Sequence, residues 1–214
     1  RTARLQALFT EAGFPVKTAM CADINGISLG ARDVLIRNGI DFLYTNIHTH
    51  HGMYPLYQNQ KPYFWENEEG GKLLVWSGEH YNLGNALGIV FHKNVNFMTE
   101  NYFGKEKAPT ALETLHRNLL ASIGEYEENG YPYDFYITSV SGVFSDNAPA
   151  NPAILAAIHE FNRQFGEEVT LQMVTLQELY DLIRDKVVDA PVYRGAINDW
   201  WGNGVGSTPY AVKH

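Results

Sequence analysis

The chain has 214 residues, 45% of them hydrophobic, and a formal net charge of −8. Such a chain can bury a sizeable core, which excludes wholesale disorder. Its acidic balance and lack of any basic run argue against nucleic acid or an anionic membrane as the main partner. No stretch approaches the roughly 18 apolar residues of a membrane-spanning helix. Cys21 is the only cysteine, so there is neither an internal disulfide framework nor a cysteine-based zinc knuckle.

Leu5, Leu8 and Phe9 share one face of a predicted first helix that ends at Gly13. No strand precedes that helix, so the chain reads as a domain whose first strand lies upstream of Arg1. Val16 to Ala22 is a predicted strand running straight into Asp23-Ile-Asn25-Gly26, a carboxylate followed by a tight turn. Ser28 is placed to cap a helix over Leu29 to Asn38 that stops at Gly39, and Phe42 to Ile47 is the next strand. Strand, helix and strand at this spacing predict a βαβ unit with parallel strands, so Asp23 and the following His48-Thr-His50-His51 loop should leave the same end of a sheet.

Pro62 to Glu66 and Lys72 to Trp76 read as a hairpin around Glu68–Gly71, followed by the polar loop Gly78-Glu79-His80-Tyr81. Residues 82–107 show no period and read as a loop or lid. A helix is predicted over Thr110 to Asn129, with Thr110 and Glu113 as a capping box. Asp134 to Val140 is a predicted strand, and Asp146 lies in the loop after it. Next come a helix over Asn151 to Phe165, a strand over Val169 to Val174, and a helix over Thr175 to Lys186 capped by Thr175 with Glu178. The tail from Pro191 is glycine-rich and aromatic, with Asp199 beside Trp200 and Trp201. Alternating strands and helices without a linker or repeat indicate an α/β class and one domain over residues 1–214.

The polar groups gather at predicted strand ends: Asp23, His48, His50, His51, Glu79, His80, Asp146 and Asp199. Asp and His on separate loops suit a divalent ion such as zinc, although surface or sugar-binding histidines explain the same pattern. Asp23 and Asp146 are candidates for the carboxylate pair that glycoside hydrolysis requires, with turn and helix-cap roles as the competing explanations. Trp65, Trp200 and Trp201 offer faces on which sugar rings stack, whereas Trp76 and Cys21 read as core. No nucleophile elbow, P-loop, dinucleotide fingerprint or His-Glu-x-x-His motif is present.

Taken in order, six stretches resemble the N-terminal catalytic domain of glycoside hydrolase family 38, the α-mannosidases, particularly bacterial and divergent members. They are Asp23-Ile-Asn-Gly-Ile-Ser28, Asn46-Ile-His-Thr-His-His-Gly52, Tyr63-Phe-Trp65, Leu73-Leu-Val-Trp-Ser-Gly-Glu-His-Tyr81, Phe144-Ser-Asp-Asn-Ala-Pro149 and Asp199-Trp-Trp-Gly-Asn-Gly204. The resemblance implies a seven-stranded β/α barrel, shared with polysaccharide deacetylases, and retaining hydrolysis of α-mannosides around a zinc ion. It makes Asp23 both nucleophile and zinc ligand.

The chain departs from the family pattern in three places. The family's His-x-Asp zinc pair would lie upstream of Arg1. Asp199 stands where the family has a zinc histidine before its Tyr-Trp pair. Gly142-Val143-Phe144 replaces the Gly-Asp-Asp-Phe stretch that carries the acid, leaving Asp146 as the nearest substitute. The expectation is therefore an α-mannosidase-like glycoside hydrolase, zinc-dependent when complete and inactive or nearly so as this stretch alone. Asp23 and Asp146 are its catalytic pair and Asp23 with Asp199 its metal ligands. Asn46, His48, His50, Trp65 and Trp201 are expected to contact sugar, with further domains downstream. A deacetylase on the same barrel and a carbohydrate-binding relative that has lost its acid are the alternatives.

Overall fold

The computed structural model describes residues 2–22, 26–46, 60–79, 81, 83–89, 111–142 and 150–197. The chain divides into two compact units, one formed by Arg1–His80 with Val174–His214 and the other by Tyr81–Met173.

The first unit is α/β. After α1 (Thr2–Glu11) come β1 (Thr18–Ala22), α2 (Leu29–Arg37), β2 (Phe42–Asn46), β3 (Lys61–Glu66) and β4 (Lys72–Gly78). The five-stranded sheet is completed by β5 (Val192–Tyr193), in the order β1-β2-β4-β3-β5. Strands β1, β2 and β4 are mutually parallel, which bears out the βαβ reading. β3 is antiparallel to β4, as the predicted hairpin requires, and β5 runs parallel to β3. The hairpin loop is organised by Asn67, whose Oδ1 accepts the Glu69 and Gly71 backbone N–H groups at 3.1 and 2.7 Å. The α/β class is borne out, and the sheet seen here has five strands.

Strand alternation decides what each face buries. Leu43, Tyr63, Trp65, Leu73 and Val75 form one core with Ala19 and Cys21, covered by Ala31, Leu35 and Ile36 of α2. Phe42 points to the opposite face, where its ring stacks on Tyr180 at 5.5 Å. Trp76 is fully buried, as its place in an apolar strand predicts, and its Nε1–H donates to Gln60 Oε1 at 3.1 Å.

The α2 start follows the predicted local chemistry. Gly26 has φ of +93°, a conformation that a Cβ disfavours. Ser28 then accepts the Ala31 N–H at 3.2 Å as N-cap. The last helix of this unit (α6, Leu176–Ile183) carries the predicted capping box: Glu178 N–H donates to Thr175 Oγ1 while Thr175 N–H donates to Glu178 Oε2 at 2.7 Å. Among the described residues no helix is long and apolar enough to cross a membrane.

The second unit contains α3 (Leu83–Leu87), α4 (Ala111–Glu128) and α5 (Ala153–Phe165). Leu87, Leu115, Leu119, Ile154, Ile158 and Phe161 form its core. The α4 boundaries match the prediction, while Thr110, its expected cap, lies outside the described residues. The predicted strands at 134–140 and 169–174 do not form. Several of their apolar residues are inward, since Tyr136, Val140 and Leu171 pack on the helical core, while Met173 is exposed. Asparagine side chains, however, take part of the backbone bonding that a strand would have used. Asn85 donates to Ser141 O at 3.0 Å and accepts its N–H at 2.9 Å. Asn162 treats Leu171 the same way, at 2.7 and 2.8 Å. Two apolar-rich segments are thus held on helices by amide clamps, an arrangement that local sequence does not distinguish from a strand.

Candidate functional site

The feature that organises a site in the first unit is the alignment of its parallel strand ends. Ala22, Asn46 and Gly78, the last residues of β1, β2 and β4, are register partners across the sheet. The chain therefore leaves all three strands at one edge, where open α/β sheets bind ligands. Asp23, the loop containing His48 and His50, and Glu79 follow those three residues directly in sequence. Asp23, His48, His50, Asp146, Asp199 and Trp201 themselves lie outside the described residues.

Asn46 is the expected site residue that can be followed atom by atom. It is 1% exposed, and its Nδ2 donates both to the Glu79 carbonyl and, at 3.2 Å, to the Tyr44 hydroxyl. Because a carbonyl only accepts, the Glu79 bond determines which end of the amide carries nitrogen. Oδ1 on the other end is buried and meets no donor among the described residues. Gly78 belongs to the same cluster: a Cβ there would lie 2.7 Å from the Tyr44 hydroxyl and 3.0 Å from its ring. Tyr44, Asn46, Gly78 and Glu79 thus form one built corner at the strand ends.

Trp65 requires a correction. It has no exposed surface and packs in the core beneath α2. It also pairs with Leu73, near the amino end of β4 and about 16 Å along the strand from Gly78 at roughly 3.3 Å per residue. Its indole N–H donates to the Gly195 carbonyl at 2.8 Å. Trp65 therefore supports the sheet and presents no face to a sugar. Aromatic character flagged it from sequence, but β3 runs antiparallel to β4 and carries it away from the aligned ends.

What sequence reasoning missed is Arg32. It lies on α2 at 1% exposure, among the apolar residues that face the sheet. Its Nη1 donates to the carbonyls of Glu66 at 2.7 Å and Arg194 at 3.2 Å, while Nε donates to Asp33 at 2.9 Å. The guanidinium also lies 5.8 Å from the Trp65 ring centroid. A cue was present: Arg32 follows Ser28 by one helical turn and precedes Ile36 by another, so it shares their stripe.

Arg194 in turn donates through Nε to Glu66 Oε1 at 2.9 Å, and Lys72 lies 3.4 Å from Glu66 Oε2. The Arg194 hydrogen bond, together with the Arg194 charge and Lys72, outweighs the opposing effect of burial and holds the Glu66 carboxyl below its usual range. Beyond this clamp the tail meets the turn after β1. Ile27 N–H donates to Ile197 O at 2.7 Å and Ile197 N–H to Ile27 O at 3.1 Å, an antiparallel bridge. The chain just after Gly26 and the segment that continues towards Asp199 are thereby joined by a pair of backbone bonds.

On the α2 side of the same edge, Thr45 and Ser77 are register partners whose buried hydroxyls lack hydrogen-bond partners among the described residues. Cys21 is next in that row, and burial pushes its thiol up, the behaviour of an unreactive core cysteine. Among the described residues no group of three or more His, Cys, Asp or Glu could hold a metal.

The fold is that of a mixed α/β protein in which three parallel strands end in register. Comparison with family models, with curated proteins and with solved structures finds no match for the chain.

Proposed function

We propose that the chain is a glycoside hydrolase domain of the family 38 type, built on the β/α barrel of that family and cleaving α-mannosides with retention. The observation that carries this reading is the register of Ala22, Asn46 and Gly78, which sends the Asp23, histidine and Glu79 segments away from one edge of a parallel sheet. The Ile27–Ile197 bridge adds support, because it joins the chain just after Gly26 to the segment that continues towards Asp199.

In this reading Asp23 attacks the anomeric carbon as the glycosidic bond breaks. The leaving oxygen takes a proton from an acid, for which Asp146 is the candidate from sequence. Water then cleaves the glycosyl ester on Asp23, restoring the starting configuration. His48, His50 and Trp201 are the candidate sugar contacts beside Asn46. Zinc, when bound, would engage sugar hydroxyls; Asp23 and Asp199 are the residues that would hold it, filling two of the roughly four positions zinc takes.

The test is hydrolysis of an aryl α-mannoside by the full-length protein, followed by proton NMR, with and without added zinc. The reading predicts that the α-anomer of mannose appears first and that Asp23→Ala abolishes turnover. Release of the β-anomer first, or of acetate from an acetylated sugar with no glycoside cleavage, would overturn it.

A further inference from the structure

We propose that Asn46 Oδ1 is an acceptor dedicated to one hydroxyl of the bound sugar, and so a specificity-determining contact. This rests on the carbohydrate reading above and assigns one atom within it.

Three observations converge on that atom. The first is its orientation: both Nδ2 hydrogens are engaged, one by the Glu79 carbonyl and one by the Tyr44 hydroxyl. An amide held this way cannot flip without placing its oxygen against a carbonyl oxygen. The second is its burial: Oδ1 is sequestered and meets no hydrogen-bond donor among the described residues, a costly arrangement for a strong acceptor unless a donor arrives with a ligand. The third is its position at the last residue of β2, where the ligand edge begins. The neighbouring hydroxyls of Thr45 and Ser77 are also buried without partners among the described residues, but a hydroxyl rotates and can serve as donor or acceptor. Asn46 alone presents a fixed acceptor, and the complementary ligand group is an O–H or N–H donor.

The corner is built to keep that orientation. Tyr44 can sit against β4 only because Gly78 lacks a side chain, and Gly78 delivers the Glu79 carbonyl to the amide. A site made to bond a hydroxyl discriminates against analogues lacking it by about the value of that hydrogen bond, since the buried acceptor is then left without a donor.

The experiment titrates methyl α-mannoside and each of its monodeoxy analogues against the wild type and Asn46→Ala. In the wild type one analogue should bind about three- to tenfold more weakly than the parent sugar, the value of one hydrogen bond. In Asn46→Ala that analogue and the parent should bind alike. The Asn46 side-chain amide signal of the wild type, followed by NMR, gives the answer even should the variant not fold. It should shift with the parent sugar and stay in place with the discriminating analogue. Equal binding of all analogues by the wild type, or unchanged discrimination by the variant, overturns the assignment and leaves the carbohydrate reading standing. Failure of every sugar to bind the wild type overturns both.

Discussion

Replacing Arg32 by Met tests whether the tail is clamped to the sheet as described. The substitution keeps a long apolar stem but removes the donors to the Glu66 and Arg194 carbonyls. A hydrogen bond from a charged donor contributes about 1.5–3 kcal/mol, and the 2.7 Å bond to Glu66 is the stronger of the two. Loss of the contact with Trp65 adds about 0.5–1 kcal/mol. The sum, about 3 kcal/mol, is a large part of the roughly 5–15 kcal/mol that stabilises a typical domain. Arg32→Lys should fall between, because an ammonium cannot reproduce the planar fork. All four tryptophans belong to the first unit, so urea unfolding followed by tryptophan fluorescence reads its stability directly. Arg37→Met is the control: Arg37 meets Glu69 at 3.6 Å with side chains 62% and 71% exposed, and should cost less than about 0.5 kcal/mol. Equal and small losses for Arg32→Met and Arg37→Met would refute the clamp.

Further predictions follow from single contacts. Gly78→Ala should destabilise by about 1–3 kcal/mol because its Cβ would strike Tyr44, whereas Gly124→Ala, in α4 with open space around it, should stabilise by about 0.5–1 kcal/mol. Thermal melts of the two variants should move in opposite directions. Asn162→Ala should cost about 1–3 kcal/mol by stripping both bonds from Leu171, read by circular dichroism of the second unit's helices. Glu178 is held below the usual carboxylate range by the Thr175 backbone N–H and then its hydroxyl, and Glu160 is lowered to about 2, chiefly by Arg163. A depressed carboxyl stabilises above its unfolded value and loses that contribution as pH falls through the folded one. The melting difference between wild type and Glu178→Gln should therefore be full near neutral pH and shrink on acidification; a difference that grows in acid would contradict the box.

Much of the first unit was legible because each local signal agreed with the next. The Asp23-x-x-Gly26-x-Ser28 stretch announced a turn and a capped helix, and strand spacing announced parallel pairing. The misread strands at 134–140 and 169–174 are rich in apolar residues, but Asn85 takes the backbone bonds of Ser141 at the end of the first and Asn162 those of Leu171 in the second. The candidate site was drawn from residue types at predicted strand ends, and the register of Ala22, Asn46 and Gly78 is the part of it that the described residues include. Arg32 escaped because a buried cation is recognisable only once its carbonyl partners, remote in the chain, are in place. Trp65 was misassigned for a related reason: its distance from the ligand edge depends on strand direction in a hairpin, not on its aromatic ring.

The central claim is that Asp23 is the nucleophile. The direct measurement is mass spectrometry of the protein, with zinc supplied, after incubation with a fluorinated α-mannosyl fluoride that forms the glycosyl ester but hydrolyses slowly. The account predicts one added sugar, mapped to the peptide containing Asp23 and absent from Asp23→Ala. A label on any other carboxylate, or none while the wild type cleaves mannosides, would contradict it.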